Sequence, residues 1–184
     1  MKPFFLIITL TFLFSCSSSK KYTAPDTRNT AIKSTVIIKK KVASRTINTK
    51  SLSADSVMRF AETLIDIPYK YGGSKPESGF DCSGLVYYVF TTFKVSVPRV
   101  SVDYTNAGIE VDIKDSRRGD IILFTGSDAG SGVVGHMGLI VSNKNNRIQF
   151  LHAASGQNGG VMISEMNGYF IPRFVKVNRV FKFL

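Results

Sequence analysis

The apolar residues of this chain change their period once, and that change constrains the fold more than any other feature. Val57, Phe60, Ala61, Leu64 and Ile65 fall at i, i+3, i+4, i+7 and i+8, one face of a helix. Ser53 stands where a helix cap is needed and Pro68 where a helix must stop, so the spacing predicts a helix over residues 54–66. Leu85, Val86, Val89, Phe90 and Phe93 make a second apolar face, on a helix that starts near Cys82 and is expected to be central to the core, and Pro98 closes the segment. From residue 120 the period is two. Residues 120–124, 136–142, 147–153, 161–164 and 173–183 read as strands, joined by connections rich in Gly and Asn. Helices first and strands after predict an α+β fold with a mainly antiparallel sheet of about five strands. No tract recurs at the spacing of a solenoid or propeller.

The segment before these elements is of another kind. Met1-Lys2-Pro3 leads into an apolar run over residues 4–14, too short for the ~20 residues of a bilayer span. A short basic start followed by such a run reads as a secretory signal over residues 1–15. It ends Leu13-Phe14-Ser15-Cys16 and continues Ser17-Ser18-Ser19, which resembles a bacterial lipobox. That resemblance implies that Cys16 is lipidated and begins the mature chain, held to a membrane by acyl chains contributing ~0.8 kcal/mol per buried CH₂. The plainer alternative is an ordinary signal cut nearby, with Cys16 incidental. Residues 16–50 read as a basic flexible tether. Residues 17–50 hold nine Lys and Arg against Asp26 alone, whereas 51–184 hold 14 basic and 12 acidic residues. The formal +11 of the chain therefore sits mostly outside the folded part, and the charge gives no support to nucleic-acid binding.

Few residues can carry chemistry. The two cysteines are too few for a disulfide scaffold, and an all-Cys/His four-ligand zinc site would need both of them and both histidines in one place. Cys82 stands at a predicted helix start, where free N–H groups and the helix dipole favour a thiolate; a buried, inert thiol is the bland alternative. His136 begins one predicted strand and His152 ends the next, with Asn143, Asn145 and Asn146 marking a turn between them. Their separation of 16 is even, so an odd-length loop centred on Lys144 would set them face to face on one side of a hairpin. A two- or four-residue loop without a bulge would put them on opposite sides. On one side, with the Cys82 helix packed against it, they would form a nucleophile, a base and an orienting group. Two unrelated surface histidines are the other outcome that spacing allows.

Seven segments, in order, then resemble the catalytic domain of the NlpC/p60 family of cell-wall cysteine peptidases. They are Tyr69-Lys70-Tyr71-Gly72-Gly73, Gly79-Phe80-Asp81-Cys82-Ser83-Gly84-Leu85-Val86, Pro98-Arg99, Arg118-Gly119-Asp120-Ile121-Ile122-Leu123-Phe124, Gly135-His136-Met137-Gly138-Leu139-Ile140, Phe150-Leu151-His152-Ala153 and Gly160-Val161-Met162-Ile163-Ser164. The resemblance implies a papain-like fold over residues 51–184, with helices packed on an antiparallel sheet. It makes Cys82 the nucleophile, His136 the base and His152 the polar third member. Tyr69 becomes a site residue that donates its hydroxyl to the oxyanion or orients substrate, and Asp81 and Ser83 align with residues that line the substrate groove. No metal or cofactor is implied. One departure stands out: relatives usually carry a glutamine a few residues after Pro98-Arg99, and here Val100-Ser101-Val102-Asp103-Tyr104-Thr105-Asn106 has none. The glycine-rich loop over residues 126–135 lacks a Gly-Lys-Ser/Thr ending, so it is no phosphate loop; it is a connector or part of the groove wall.

The implied substrate is the peptidoglycan stem peptide, cut at the D-γ-glutamyl–diaminopimelate bond or at the D-alanyl–diaminopimelate cross-link. The sequence chooses neither bond. The implied setting is a lipid-anchored monomer in the bacterial envelope, at the outer membrane facing the periplasm, with any adaptor or regulatory lipoprotein unknown. The alternatives are an amidase or acyltransferase on another acyl substrate, and a non-catalytic wall-binding lipoprotein.

Overall fold

A computed structural model describes residues 46–49, 52–145 and 147–182. Cys16 and most of residues 1–50 lie outside them. The elements run α1 (Ala54–Glu62), β1 (Ser74–Lys75), β2 (Gly79–Phe80), α2 (Cys82–Thr92), β3 (Ile109–Val111), β4 (Ile121–Thr125), β5 (Val134–Lys144), β6 (Arg147–Ala154), β7 (Gly160–Glu165) and β8 (Phe174–Arg179), with short 3₁₀ turns between some of them. The fold is α+β, as the change of period predicts.

The main sheet is antiparallel throughout, in the order β3-β8-β4-β5-β6-β7. It has six strands rather than five. The sixth, β3, is a three-residue edge strand with Ile109 and Glu110 exposed, so it carries no alternating pattern to read. Along β4 the side chains alternate between two apolar layers. Ile121 and Leu123 join Leu85, Val86, Val89 and Phe90 of α2. Ile122 and Phe124 join Ile140, Phe150 and Phe170 on the other side. That two-sided cover is why all five residues of β4 are buried.

Two boundaries differ from the spacing. Helix α1 stops at Glu62, four residues short of the predicted end. Thr63 caps it, its hydroxyl donating to the Phe60 carbonyl, and Asp66 takes a left-handed φ of 70°. Leu64 still reaches the core from this turn, so the apolar period outlasts the helix. Strand β8 ends at Arg179, and the next residues turn inward, with Phe181 stacked on Phe90 at 5.7 Å between centroids.

Candidate active site

Helix α2 begins at Cys82 because Asp81 caps it, accepting from the Gly84 N–H. The same carboxylate accepts from both terminal nitrogens of Arg99, at 3.2 and 3.1 Å, and from the Ser83 hydroxyl at 3.1 Å. Arg99 also donates to the Gly72 carbonyl at 2.8 Å and the Gly73 carbonyl at 3.3 Å. One guanidinium thus fastens the helix start to the loop that follows Tyr71. The contact is close: a Cβ on Gly84 would lie 1.9 Å from the Gly73 carbonyl oxygen. Arg99 is a site-building residue that sequence reasoning missed. Its segment was visible in the resemblance, but its partners lie 16–27 positions away in sequence.

The two histidines come together by a route other than the odd loop. Lys144 pairs with Arg147, leaving a two-residue connection, which by itself would send the histidines to opposite faces. The register then shifts between Ile140 and Ser142, where Val141 is one extra residue in β5. This bulge restores the parity. Beyond it Leu139 faces Leu151, so His152 falls opposite Gly138 and lies diagonal to His136. Gly138 leaves the diagonal open: a Cβ there would sit 2.9 Å from the Phe150 ring and 3.2 Å from the His152 Cβ. His136 Nε2 and His152 Nδ1 are 2.8 Å apart.

A third group continues the line. His152 Nε2 is 2.8 Å from the Ser164 hydroxyl oxygen. His152 faces Met162 in the β6–β7 ladder, so Ser164 again lies two residues off, on the next diagonal. The row His136, His152, Ser164 crosses three strands on one face of the sheet. Sequence reasoning gave Ser164 no role, since a serine in an edge strand carries no signal of its own. The face also differs from the expected one. Both rings pack on the phenylalanine layer away from α2, with Phe124 6.1 Å from His136 and Phe150 4.9 Å from His152. Cys82 packs against the helix-side core instead.

The two sides meet at one end of the sheet, in a pocket of about 480 Å³ lined by Tyr69, Cys82, His136 and His152 among others. Gly126, Ser127 and Gly135 line it too, so the glycine-rich loop forms part of the wall. Asp81 and Ser83 are not among the lining residues; their polar atoms are engaged by Arg99. Among the described residues no three or more His, Cys, Asp and Glu side chains are grouped to hold a metal ion.

Electrostatics set the resting protonation. Burial, then the Asp81 carboxylate, push the Cys82 thiol up to about 11, against backbone N–H groups of Met137, Ser83 and Cys82 that favour the thiolate. The helix start therefore does not win at rest: desolvation outweighs it. Burial pulls His136 down to about 4, and burial plus the neighbouring His136 charge pull His152 down to about 3. The Tyr69 hydroxyl is held above its usual range by burial and by the nearby Cys82 and Asp81 charges, so it remains a donor. The arrangement holds a neutral thiol and a neutral imidazole row in one pocket, a set able to perform acyl chemistry through a thiolate formed on demand.

The profile of the NlpC/P60 family matches residues 66–179. Over 127 residues the chain is 30% identical to the "Bifunctional muramidase/DL-endopeptidase CwlT" of Bacillus subtilis, covering 68% of this chain and 36% of that protein. Over 135 residues it is 31% identical to the "Murein DD-endopeptidase MepH" of Escherichia coli, covering 69% of this chain and 49% of that one. Among solved structures it is similar to an NlpC/P60 family protein from Bacillus cereus, with a TM-score of 0.62 and 26% identity over 71% of this chain and 41% of that one. The chain thus spans less than half the length of each of these proteins.

Proposed function

Because the chain belongs to the NlpC/P60 family, we propose that it is a peptidoglycan endopeptidase that cuts stem peptides by Cys-His-His catalysis. The observation that carries this is the 2.8 Å contact between His136 Nε2 and His152 Nδ1 in the pocket that Cys82 lines. When His152 accepts from the Nε2–H of His136, the proton of His152 sits on Nε2 and is donated to Ser164. That tautomer leaves Nδ1 of His136 free to take the proton of Cys82.

The thiolate then attacks the scissile carbonyl. Backbone N–H groups at the start of α2, with the Tyr69 hydroxyl beside them, stabilise the oxyanion. His136 returns the proton to the leaving amine, and water hydrolyses the thioester. Asp81 and Ser83 serve the site through Arg99, which fixes the helix start against the Tyr69 loop.

The two curated relatives bear the names of a DL- and a DD-endopeptidase, matching the two bonds that the stem peptide offers. The test is mass spectrometry of defined muropeptides incubated with the chain, beside Cys82→Ala. Tripeptides that lose their diamino acid assign the D-γ-glutamyl–diaminopimelate bond. Cross-linked dimers that fall to monomers assign the D-alanyl–diaminopimelate bond. Cys82→Ala is expected to abolish turnover with the fold intact, and a variant cleaving at the wild-type rate would remove the nucleophile from the mechanism. The lipobox-like segment supports an envelope location, with a lipid on Cys16 and the domain facing the periplasm.

A further inference from the structure

One wall of the pocket has no part in the mechanism above. Phe124 pairs with Phe174, so Thr125, at the end of β4, comes beside Arg173, just before β8. Thr125 and Arg173 both line the pocket, and among the described residues Arg173 is the one lining residue of formal charge. Its guanidinium lies 4.0 Å over the Tyr169 ring, and donates to the Tyr169 carbonyl at 2.8 Å and the Ser127 carbonyl at 3.3 Å. These neutral partners hold it in place without cancelling its charge. Thr125 Oγ1 and Arg173 Nε are also the two side-chain polar atoms among the described residues that are buried with no hydrogen-bond partner. Buried donors left unpaired are costly, and both atoms, shut off from solvent in the free protein, belong to residues that line this pocket.

We propose that this wall is a carboxylate-binding subsite, with the Arg173 guanidinium pairing a free carboxylate of the stem peptide and the Thr125 hydroxyl as a second donor. A carboxylate only accepts, and Nη1 and Nη2 of Arg173 each keep one N–H beyond those given to the Tyr169 and Ser127 carbonyls. Two stem-peptide groups share this chemistry: the free carboxylate on the diamino acid side chain and that of a terminal D-alanine. The inference deepens the endopeptidase reading and rests on it for the substrate class.

The test is calorimetric binding to the full chain carrying Cys82→Ala, which separates recognition from turnover. The probes are a stem tripeptide and tetrapeptide as free acids, each beside a copy with one carboxylate amidated. The parent is expected to prefer the free acid by about 10- to 100-fold, the worth of one charge-assisted pair. The amidation that removes this preference identifies the source of the carboxylate. Arg173→Gln should abolish the preference and leave affinity for the amide unchanged. Thr125→Val, which keeps the shape and drops the hydroxyl, should reduce the preference by about 3- to 10-fold, and it reports independently if Arg173→Gln fails to fold.

The subsite is overturned by a parent without preference, by a parent that binds none of the peptides, or by an Arg173→Gln that weakens acid and amide equally. The last is what a purely structural tie between Ser127 and Tyr169 would give. Turnover by the intact chain is read separately. Selective binding without cleavage keeps the subsite and removes the endopeptidase, whereas cleavage without selectivity does the reverse.

Discussion

Ser164 shows what a single side chain adds once its neighbours are in place. Its hydroxyl oxygen lies 2.8 Å from His152 Nε2, placed to accept the Nε2–H of the tautomer whose Nδ1 receives from His136. Ser164→Ala removes that acceptor without touching substrate. We expect kcat/KM to fall about 5-fold, the worth of one net hydrogen bond, with KM unchanged and activity rescued by Ser164→Thr. A rise in KM alone would make Ser164 a substrate contact instead. Residues such as Cys82, His136 and His152 were legible in the sequence because the chain holds two cysteines and two histidines, so position and spacing could single them out. Ser164 and Arg99 are common residue types whose roles depend on contacts 12 and 16–27 positions away, and no local pattern announces them.

Elements are held in register by a few ties at their ends. Asp120 is fully buried just before β4. It accepts from Arg179 Nε at 3.0 Å and Nη2 at 2.8 Å, and from the Arg117 N–H at 2.8 Å. The pair joins the turn before β4 to the last residue of β8. Asp120→Ala removes the buried carboxylate that accepts from Arg179 and the Arg117 N–H, and we expect a loss of about 3 kcal/mol in urea denaturation. Gly84→Ala acts on another junction, forcing α2 off the Gly73 carbonyl, with an expected cost of about 3 kcal/mol and misplacement of Cys82. Both residues lie in segments that the family resemblance picked out; in Asp120 the structure gives the segment a structural tie as its reason. Helices and central strands were legible because each buries a periodic face. The edge strand β3 was not, because two of its three residues are exposed.

At the scale of the whole molecule, pH ties stability to the site. Unfolded, both imidazoles bind protons near the ordinary histidine value, whereas folded they resist until about 4 for His136 and about 3 for His152. Between those limits the unfolded chain holds more protons, so acid favours unfolding. Stability is full above about pH 6.5 and declines towards pH 4, by about 3 kcal/mol from His136 alone. Thermal denaturation at pH 7 and pH 4.5 checks this, and a flat Tm would contradict the burial of the pair. The acid limb of kcat/KM should fall nearer 4 than 6.5, as a property of the Cys82–His136 couple. The uneven distribution of charge belongs to the same scale: residues 17–50 are strongly basic while 51–184 are nearly neutral. If Cys16 carries the lipid, Cys16→Ser moves the protein from the membrane to the soluble fraction with activity intact, and an unchanged fractionation would dismiss the anchor.

The extra residue at Val141 gives the β5–β6 hairpin something like a reading frame. Its two-residue turn and its bulge are each odd by one, and only their sum brings the two imidazoles to the same side. Deleting Val141 alone should keep a well-formed hairpin and abolish the proposed activity. Adding one residue to the turn of that deletion variant should bring activity back. A lineage of such proteins can therefore exchange a longer turn for a lost bulge, and paired insertions and deletions flanking residues 142–144 would be the trace that this exchange leaves.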